Sequence, residues 1–244
     1  MFFRVPDEKV QKQTTYIIDS KMADVNGDKL LERVDLIGTK EKPEDIFIDN
    51  IRILITNPCT NLKTEIPLKF NAGYSPKLFL GDFNNDKVDD IFVSIFSGGS
   101  GGFGFYYVIS FLNNIPKTIF DFEKFNQNSL FSGKYKDNYL VDIIDDMTNK
   151  KVTIDISYKD KEYLKDIYDE NGKLIKPIEA SISGLGELYP IDINNDSNYE
   201  LLGSQRIIGR ANADTLGTVQ TRLKWNDSKD DFEKIFKEVS VSFN

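Results

Sequence analysis

The chain has no histidine and a single cysteine, Cys59, among its 244 residues. Without imidazole there is no histidine general base, no Ser-His-Asp triad and no histidine-ligated catalytic zinc. One thiol cannot close an internal disulfide, and with no partner motif around it Cys59 is expected to be buried and inert. No apolar run approaches the roughly 20 residues that a membrane-spanning helix needs. The opening Met1-Phe2-Phe3-Arg4-Val5-Pro6-Asp7 lacks the basic stretch and apolar block of a signal peptide, so the chain reads as leaderless or trimmed of a leader. A surplus of positive charge is missing too. A net charge of -8 and a pI near 4.8 argue against non-specific binding to nucleic acid, which needs cations against phosphates.

What is present is a globular composition, 40% hydrophobic and 29% charged. The acidity suits a cation binder, and it is concentrated in a repeat. Asp24-Val25-Asn26-Gly27-Asp28-Lys29-Leu30-Leu31-Glu32, Asp82-Phe83-Asn84-Asn85-Asp86-Lys87-Val88-Asp89-Asp90 and Asp192-Ile193-Asn194-Asn195-Asp196-Ser197-Asn198-Tyr199-Glu200 all read D-x-N-[GN]-D-x-x-x-[DE]. An apolar, strand-like run follows each: Val34 to Ile37, Ile91 to Ile95, and Leu201-Leu202.

Oxygen-bearing side chains at positions 1, 3, 5 and 9 fit calcium, which takes six to eight hard oxygen ligands in flexible geometry. The expected ligands are Asp24, Asn26, Asp28 and Glu32 in the first loop, Asp82, Asn84, Asp86 and Asp90 in the second, and Asp192, Asn194, Asp196 and Glu200 in the third. The backbone carbonyl of position 7 (Leu30, Val88 or Asn198) supplies one more donor. Up to three Ca²⁺ would bring the net charge from -8 to about -2. An EF-hand is excluded, because Lys29, Lys87 and Ser197 stand where it needs Gly at position 6. Asp35, Val93 and Gly203 stand where it needs Glu at position 12. The competing account is an ordinary polar turn whose Asx side chains cap their own backbone.

The loops start 58 and then 110 residues apart, and 110 is close to twice 55, which points to a missing middle copy. Asp142-Ile143-Ile144-Asp145-Asp146-Met147-Thr148-Asn149-Lys150 is the candidate, degenerate and without metal. Short β-rich runs recur at Thr15 to Ile18, Ile46 to Thr56, Lys77 to Leu80, Phe103 to Phe111, Lys151 to Ser157 and Thr218 to Trp225. Glu162 to Tyr168 and Asp231 to Lys237 read as short helical turns, and Asn171-Gly172 as a hairpin turn.

On these loops the chain resembles the FG-GAP/VCBS-type repeats of integrin-like calcium-binding β-propellers. Asn71 to Pro76, Leu80-Gly81-Asp82, Ser97 to Gly104 and Ile156 to Asp160 are similar to leaderless VCBS-repeat proteins of spore-forming Gram-positive bacteria. The resemblance implies an all-β fold: a small propeller of four blades of about 55 residues, or five. Residues 1–13 would form an N-terminal arm and 14–244 one domain. A strand near Thr14 to Asp19 would close the ring against Glu238 to Phe243.

The function expected is a non-enzymatic, calcium-binding structural or interaction module. Its place would be a cell or spore surface, or outside the cell, rather than the cytosol. Its partner would be a protein or glycan, with no nucleic acid and no transmembrane segment. Two alternatives stand beside it. One is a carbohydrate-binding propeller using Tyr74, Tyr106 or Trp225 as a platform, although packing in the core accounts for the same rings. The other is a hydrolase using an acid pair such as Asp89/Asp90, Asp145/Asp146 or Asp230/Asp231, which needs two carboxyls facing across a cleft. Ser97 to Gly104 lacks the Lys of a phosphate loop and is expected to serve close backbone packing, with a ligand-facing role as the alternative. Arg206 to Arg210 is expected to be a salt-bridged strand end.

Overall fold

The computed structural model describes residues 14–241. The expected arm at 1–13 lies outside them. The chain is all-β. Eight strands form the first sheet: β1 (Thr14–Ala23), β2 (Glu32–Lys40), β3 (Phe47–Thr56), β4 (Lys63–Pro67), β5 (Gly73–Gly81), β6 (Asp90–Phe96), β7 (Gly104–Ser110) and β8 (Lys117–Asp121). Helix α1 (Phe122–Gln127), N-capped by Asp121, turns the chain into the second half. There β9 (Phe131–Lys136), β10 (Leu140–Asp145), β11 (Lys150–Asp155), α2 (Lys161–Lys165), β12 (Glu179–Ile191), β13 (Glu200–Ile208), β14 (Thr215–Asn226) and β15 (Asp231–Ser240) follow. Their seven strands make the second sheet, in the order β11-β10-β9-β12-β13-β14-β15.

The layout is two antiparallel sheets, one of them nearly barrel-shaped, and not a propeller. Blades would be separate four-stranded units, whereas here the ladder runs on across every expected blade boundary. Phe47 and Ile48 of β3, for instance, pair with Tyr74 and Gly73 of β5. Each nine-residue loop nevertheless connects two neighbouring antiparallel strands: β1 to β2, β5 to β6, and β12 to β13. The spacing of the loops therefore reports recurring hairpins inside two sheets.

Other expectations need correcting. Asp142 is no loop residue. It lies in β10, where the Thr153 hydroxyl donates to its carboxylate at 2.6 Å and Lys151 pairs with it at 3.0 Å. Asp231 to Lys237 is strand, because its residues pair with Asn226 back to Thr221 on β14. The ring-closing pair is absent among the described residues: β1 pairs with β2 and β15 with β14. The first sheet instead curls until Leu78 N–H of β5 donates to the Asp19 carboxylate of β1 at 2.9 Å. Asn171-Gly172 does turn the chain, with Gly172 at φ 72°, but only a single bridge, Tyr168 to Leu174, flanks it. Cys59 is exposed.

The core follows from the strand sequences. Val34 and Leu36, Ile53 and Ile55, and Ile91 and Val93 bury alternate side chains, together with Phe83, Tyr107 and Phe120. Leu185, Leu188, Leu201 and Leu223 of the second sheet join the same cluster, so the two sheets share apolar packing. A second cluster lies wholly within the second half, around Tyr135, Val141, Ile156, Ile167 and Ile207.

Candidate metal-binding loops

All three loops fold alike at the backbone. Position 6 is left-handed in each: Lys29 at φ 67°, Lys87 at φ 68° and Ser197 at φ 63°. Its N–H donates to the position-1 carboxylate at 2.8, 2.9 and 3.0 Å. The position-7 N–H of Leu30, Val88 and Asn198 donates to the position-5 carboxylate at 2.9, 2.9 and 3.0 Å. Position 4 is left-handed as well, in Gly27, Asn85 and Asn195. Asx capping thus holds in all three loops: the position-1 and position-5 carboxylates accept from the loop's own N–H groups.

The first loop gathers them most tightly. One carboxylate oxygen from each of Asp24, Asp28 and Glu32 lies within 4.8 Å of the others, the one such trio among the described residues. Asn26 sits among them, its amide donating to Asp28 at 3.2 Å and to Glu32 at 3.1 Å. Val25, at position 2, is fully buried and anchors the loop on the core. Glu32 is also buried, and that burial pushes its carboxyl above the usual range, with Asp28 and Asp24 adding to the rise.

The second loop has the same plan. Phe83 at position 2 is fully buried, and its N–H donates to Asp90 at 3.0 Å, as Val25 N–H does to Glu32 at 3.3 Å. Burial pushes Asp90 up to about 7, against the pull of the Phe83 N–H. Asp82 and Asp89 are also raised, chiefly by burial.

The third loop differs in two respects. Ile193 at position 2 is half exposed, so the core does not hold it. Its closing acid, Glu200, is neutralised within the chain, with Arg222 at 3.2 Å and Lys224 at 3.5 Å. Strand register explains the contrast. The ladders Arg33 to Thr56, Ile91 to Ile109 and Leu201 to Leu223 set Asn57, Ser110 and Lys224, one step on, opposite the three closing acids. Two of these neighbours are neutral and one is a cation. Sequence reasoning confined to the loops missed them, although the alternation Arg222-Leu223-Lys224 was there to be read.

The loops also touch in series. Asp89 N–H of the second donates to the Asp24 carbonyl of the first at 3.1 Å, and Tyr199 N–H of the third to the Asp82 carbonyl of the second at 2.7 Å. Both contacts join position 8 of one loop to position 1 of the preceding loop. Asn114, from the turn after β7, adds its side-chain oxygen to Asn26 at 3.3 Å.

The remaining candidates separate clearly. Asp90 is buried, its carboxylate accepting from Phe83 N–H of its own loop, Asp145 pairs with Lys237 at 2.5 Å, and Asp230 and Asp231 are ion-paired on the surface. Tyr106 is buried, its hydroxyl donating to the Gly186 carbonyl at 2.6 Å, and cannot serve as a platform. Of the expected salt-bridged strand end, Arg210 is ion-paired with Asp166 at 2.9 Å, whereas Arg206 donates to backbone carbonyls and to no carboxylate among the described residues.

Comparison with known proteins places the chain differently from its loops. Residues 129–241 match the family model described as the YybI C-terminal domain. The whole second sheet, Phe131 to Ser240, falls within that span. Over 213 residues the chain is 41% identical to the "Uncharacterized protein YybI" of Bacillus subtilis (strain 168), covering 87% of this chain and 81% of that relative. The resemblance to FG-GAP/VCBS repeats is overturned by these matches and by the two-sheet fold. With it goes the support it lent to a calcium-binding propeller of the bacterial or spore surface. A D-x-N-x-D turn is short enough to arise wherever a hairpin needs two left-handed residues, so it identifies a local structure and not a family.

Proposed function

The chain belongs to the YybI family, and from that premise we propose that it is a non-enzymatic all-β module stabilised by a divalent cation, with the first loop as its calcium site. The observation that carries the reading is the convergence of Asp24, Asp28 and Glu32 within 4.8 Å, on a turn anchored in the core, with no ion pair to any of the three among the described residues. Three carboxylates so placed repel one another, and Glu32, already penalised by burial, is pushed further up by Asp28 and Asp24. A hard cation reverses the sign of that interaction, and oxygen donors of this kind are what Ca²⁺ takes.

Asp24, Asp28 and Glu32 would hold the ion, with Asn26 and the Leu30 carbonyl completing the set. The second loop, with Asp82, Asn84, Asp86 and Asp90, follows the same design, but its acids do not draw together as closely, and the proposed ion is the first loop's alone. The third is not a site, since Arg222 and Lys224 already supply the positive charge that Glu200 needs.

The role is structural. An ion bound by the native state alone stabilises it by about 2.7 kcal/mol at a hundredfold excess over Kd. Thermal melts of the full chain in EDTA and in excess Ca²⁺ test this. The melting temperature should rise with Ca²⁺ and fall with EDTA, and a melt indifferent to both would remove the reading.

A further inference from the structure

A second site lies away from the acidic loops, where the glycine-rich connection between β6 and β7 meets the second sheet. It is a cleft of about 520 Å³, within the range of about 300–1,000 Å³ typical of small-ligand sites. Two phenylalanines, Phe96 and Phe103, line it with 41% and 42% of their surface exposed. Across from them the second sheet presents Glu187, Ser204, Arg206 and Thr218.

The cleft is constructed with care. Gly98, Gly99 and Gly102 all have positive φ, at 78°, 77° and 64°, so the loop folds into a shape that side chains would resist. Gly98 rests on the Tyr74 ring, which a Cβ there would strike at 2.4 Å. On the facing side β12 carries two register shifts, either side of Leu185, the kind of bulge that re-aims side chains beside binding sites. Gly186 brings the β12 backbone against Gly102, whose carbonyl a Cβ would meet at 2.8 Å. The buried Tyr106 fixes that strand by donating to the Gly186 carbonyl. Tyr74 and Tyr106, which with Trp225 were the alternative platform rings, instead pack against Gly98 and Gly186 as the cleft's supports. The exposed rings are Phe96 and Phe103.

Arg206 joins the two halves. Its guanidinium donates to the Ser100 carbonyl at 3.4 Å and to the Asn212 carbonyl, and it pairs with no carboxylate among the described residues. Arg206 and Glu187 together leave the cleft without net charge. They bring donors and an acceptor to the same cleft, and the Ser204 and Thr218 hydroxyls serve as either. Apolar ring faces, opposed by a neutral set of paired donors and acceptors, match a molecule with C–H faces and a fringe of hydroxyls.

We propose that this cleft binds a neutral oligosaccharide, with sugar rings against Phe96 and Phe103 and hydroxyls hydrogen-bonded to Glu187, Ser204, Arg206 and Thr218. The inference goes beyond the calcium reading and does not depend on it.

The test is binding of chitotetraose, cellotetraose and maltotetraose to the full chain, followed by saturation-transfer NMR and calorimetry, with tetragalacturonate as an acidic control. At least one neutral tetrasaccharide should bind with Kd below about 1 mM, and the double variant Phe96→Ser/Phe103→Ser should weaken it about tenfold or more. Both rings are exposed, so the variant should melt like the parent. Thr218→Ala, which removes one hydroxyl without touching the glycine loop, should weaken binding by a smaller factor. Absence of binding by all three neutral sugars, equal binding by the double Phe variant, or preference for tetragalacturonate would each overturn the proposal.

Discussion

The acids of the first loop and those of the second sheet occupy opposite electrostatic settings. In the second sheet each buried acid has its own cation: Asp142 has Lys151, Asp145 has Lys237, and Glu200 has Arg222 and Lys224; the half-buried Asp214, just before β14, has Lys159 at 3.2 Å. In the first loop Asp24, Asp28 and Glu32 face one another. Glu32 and Glu200 hold the same place in the same nine-residue pattern, yet one looks onto Asn57 and the other onto Lys224. A shared loop motif therefore does not make a shared electrostatic setting. The strand beside it decides whether a cation faces the closing acid.

The largest effect that would break this contrast is Glu32→Gln. Removing the closing acid should abolish the melting response to Ca²⁺, a loss of about 2.7 kcal/mol at a hundredfold excess of the ion over the parent's Kd. An unchanged response would show that the loop holds no ion.

Asp214→Asn tests the other side. Burial pushes this carboxyl up, but the Tyr163 hydroxyl at 2.6 Å, the Arg210 N–H and Lys159 pull harder and leave it below its ordinary 3.8. A carboxyl held lower in the folded than in the unfolded state adds stability above the unfolded value, and that stability is lost as pH falls through the folded one. The variant should lose about 2 kcal/mol at neutral pH in denaturant unfolding, and should lose less further stability than the parent between pH 5 and pH 2.

Arg222→Gln with Lys224→Asn gives Glu200 the neutral surroundings of Glu32. In EDTA the double variant should be less stable by about 1 kcal/mol, since a buried acid has lost its partners, and Ca²⁺ should now protect the third loop against amide exchange. Exchange indifferent to Ca²⁺ would mean that the cross-strand neighbour does not govern the site. The smallest effect is at Lys29, whose left-handed backbone costs a side chain more than glycine loses in the unfolded state. Lys29→Gly should raise the melting temperature slightly, by about 0.5 kcal/mol of stability.

Much of the local structure was legible in the sequence because it is set by neighbours along the chain. The β-rich runs, the strands that follow each loop and the turns themselves all lie where their residues put them. Failures came where distant residues decide. Asp231 to Lys237 has charges spaced as on a short helix, but β14 offers it an open edge and it pairs as β15. Asp142 fits position 1 of the loop pattern, yet Lys151 and Thr153 across the hairpin hold it in a strand. The repeat spacing suggested separate blades because a sequence carries no sign of which hairpins share a sheet. In the proposed sugar cleft the glycine loop was legible. The choice of Phe96 and Phe103 over Tyr74 and Tyr106 was not, because Gly98 folds over the Tyr74 ring and Gly186 of the second sheet meets Tyr106.

Calorimetric titration of the full chain with Ca²⁺, run beside Glu32→Gln, addresses the central claim most directly. The account predicts a saturable heat of binding in the parent that disappears in the variant, with the melting temperature following the same order. Absence of heat in the parent, or an isotherm that survives loss of the Glu32 carboxylate, would contradict it.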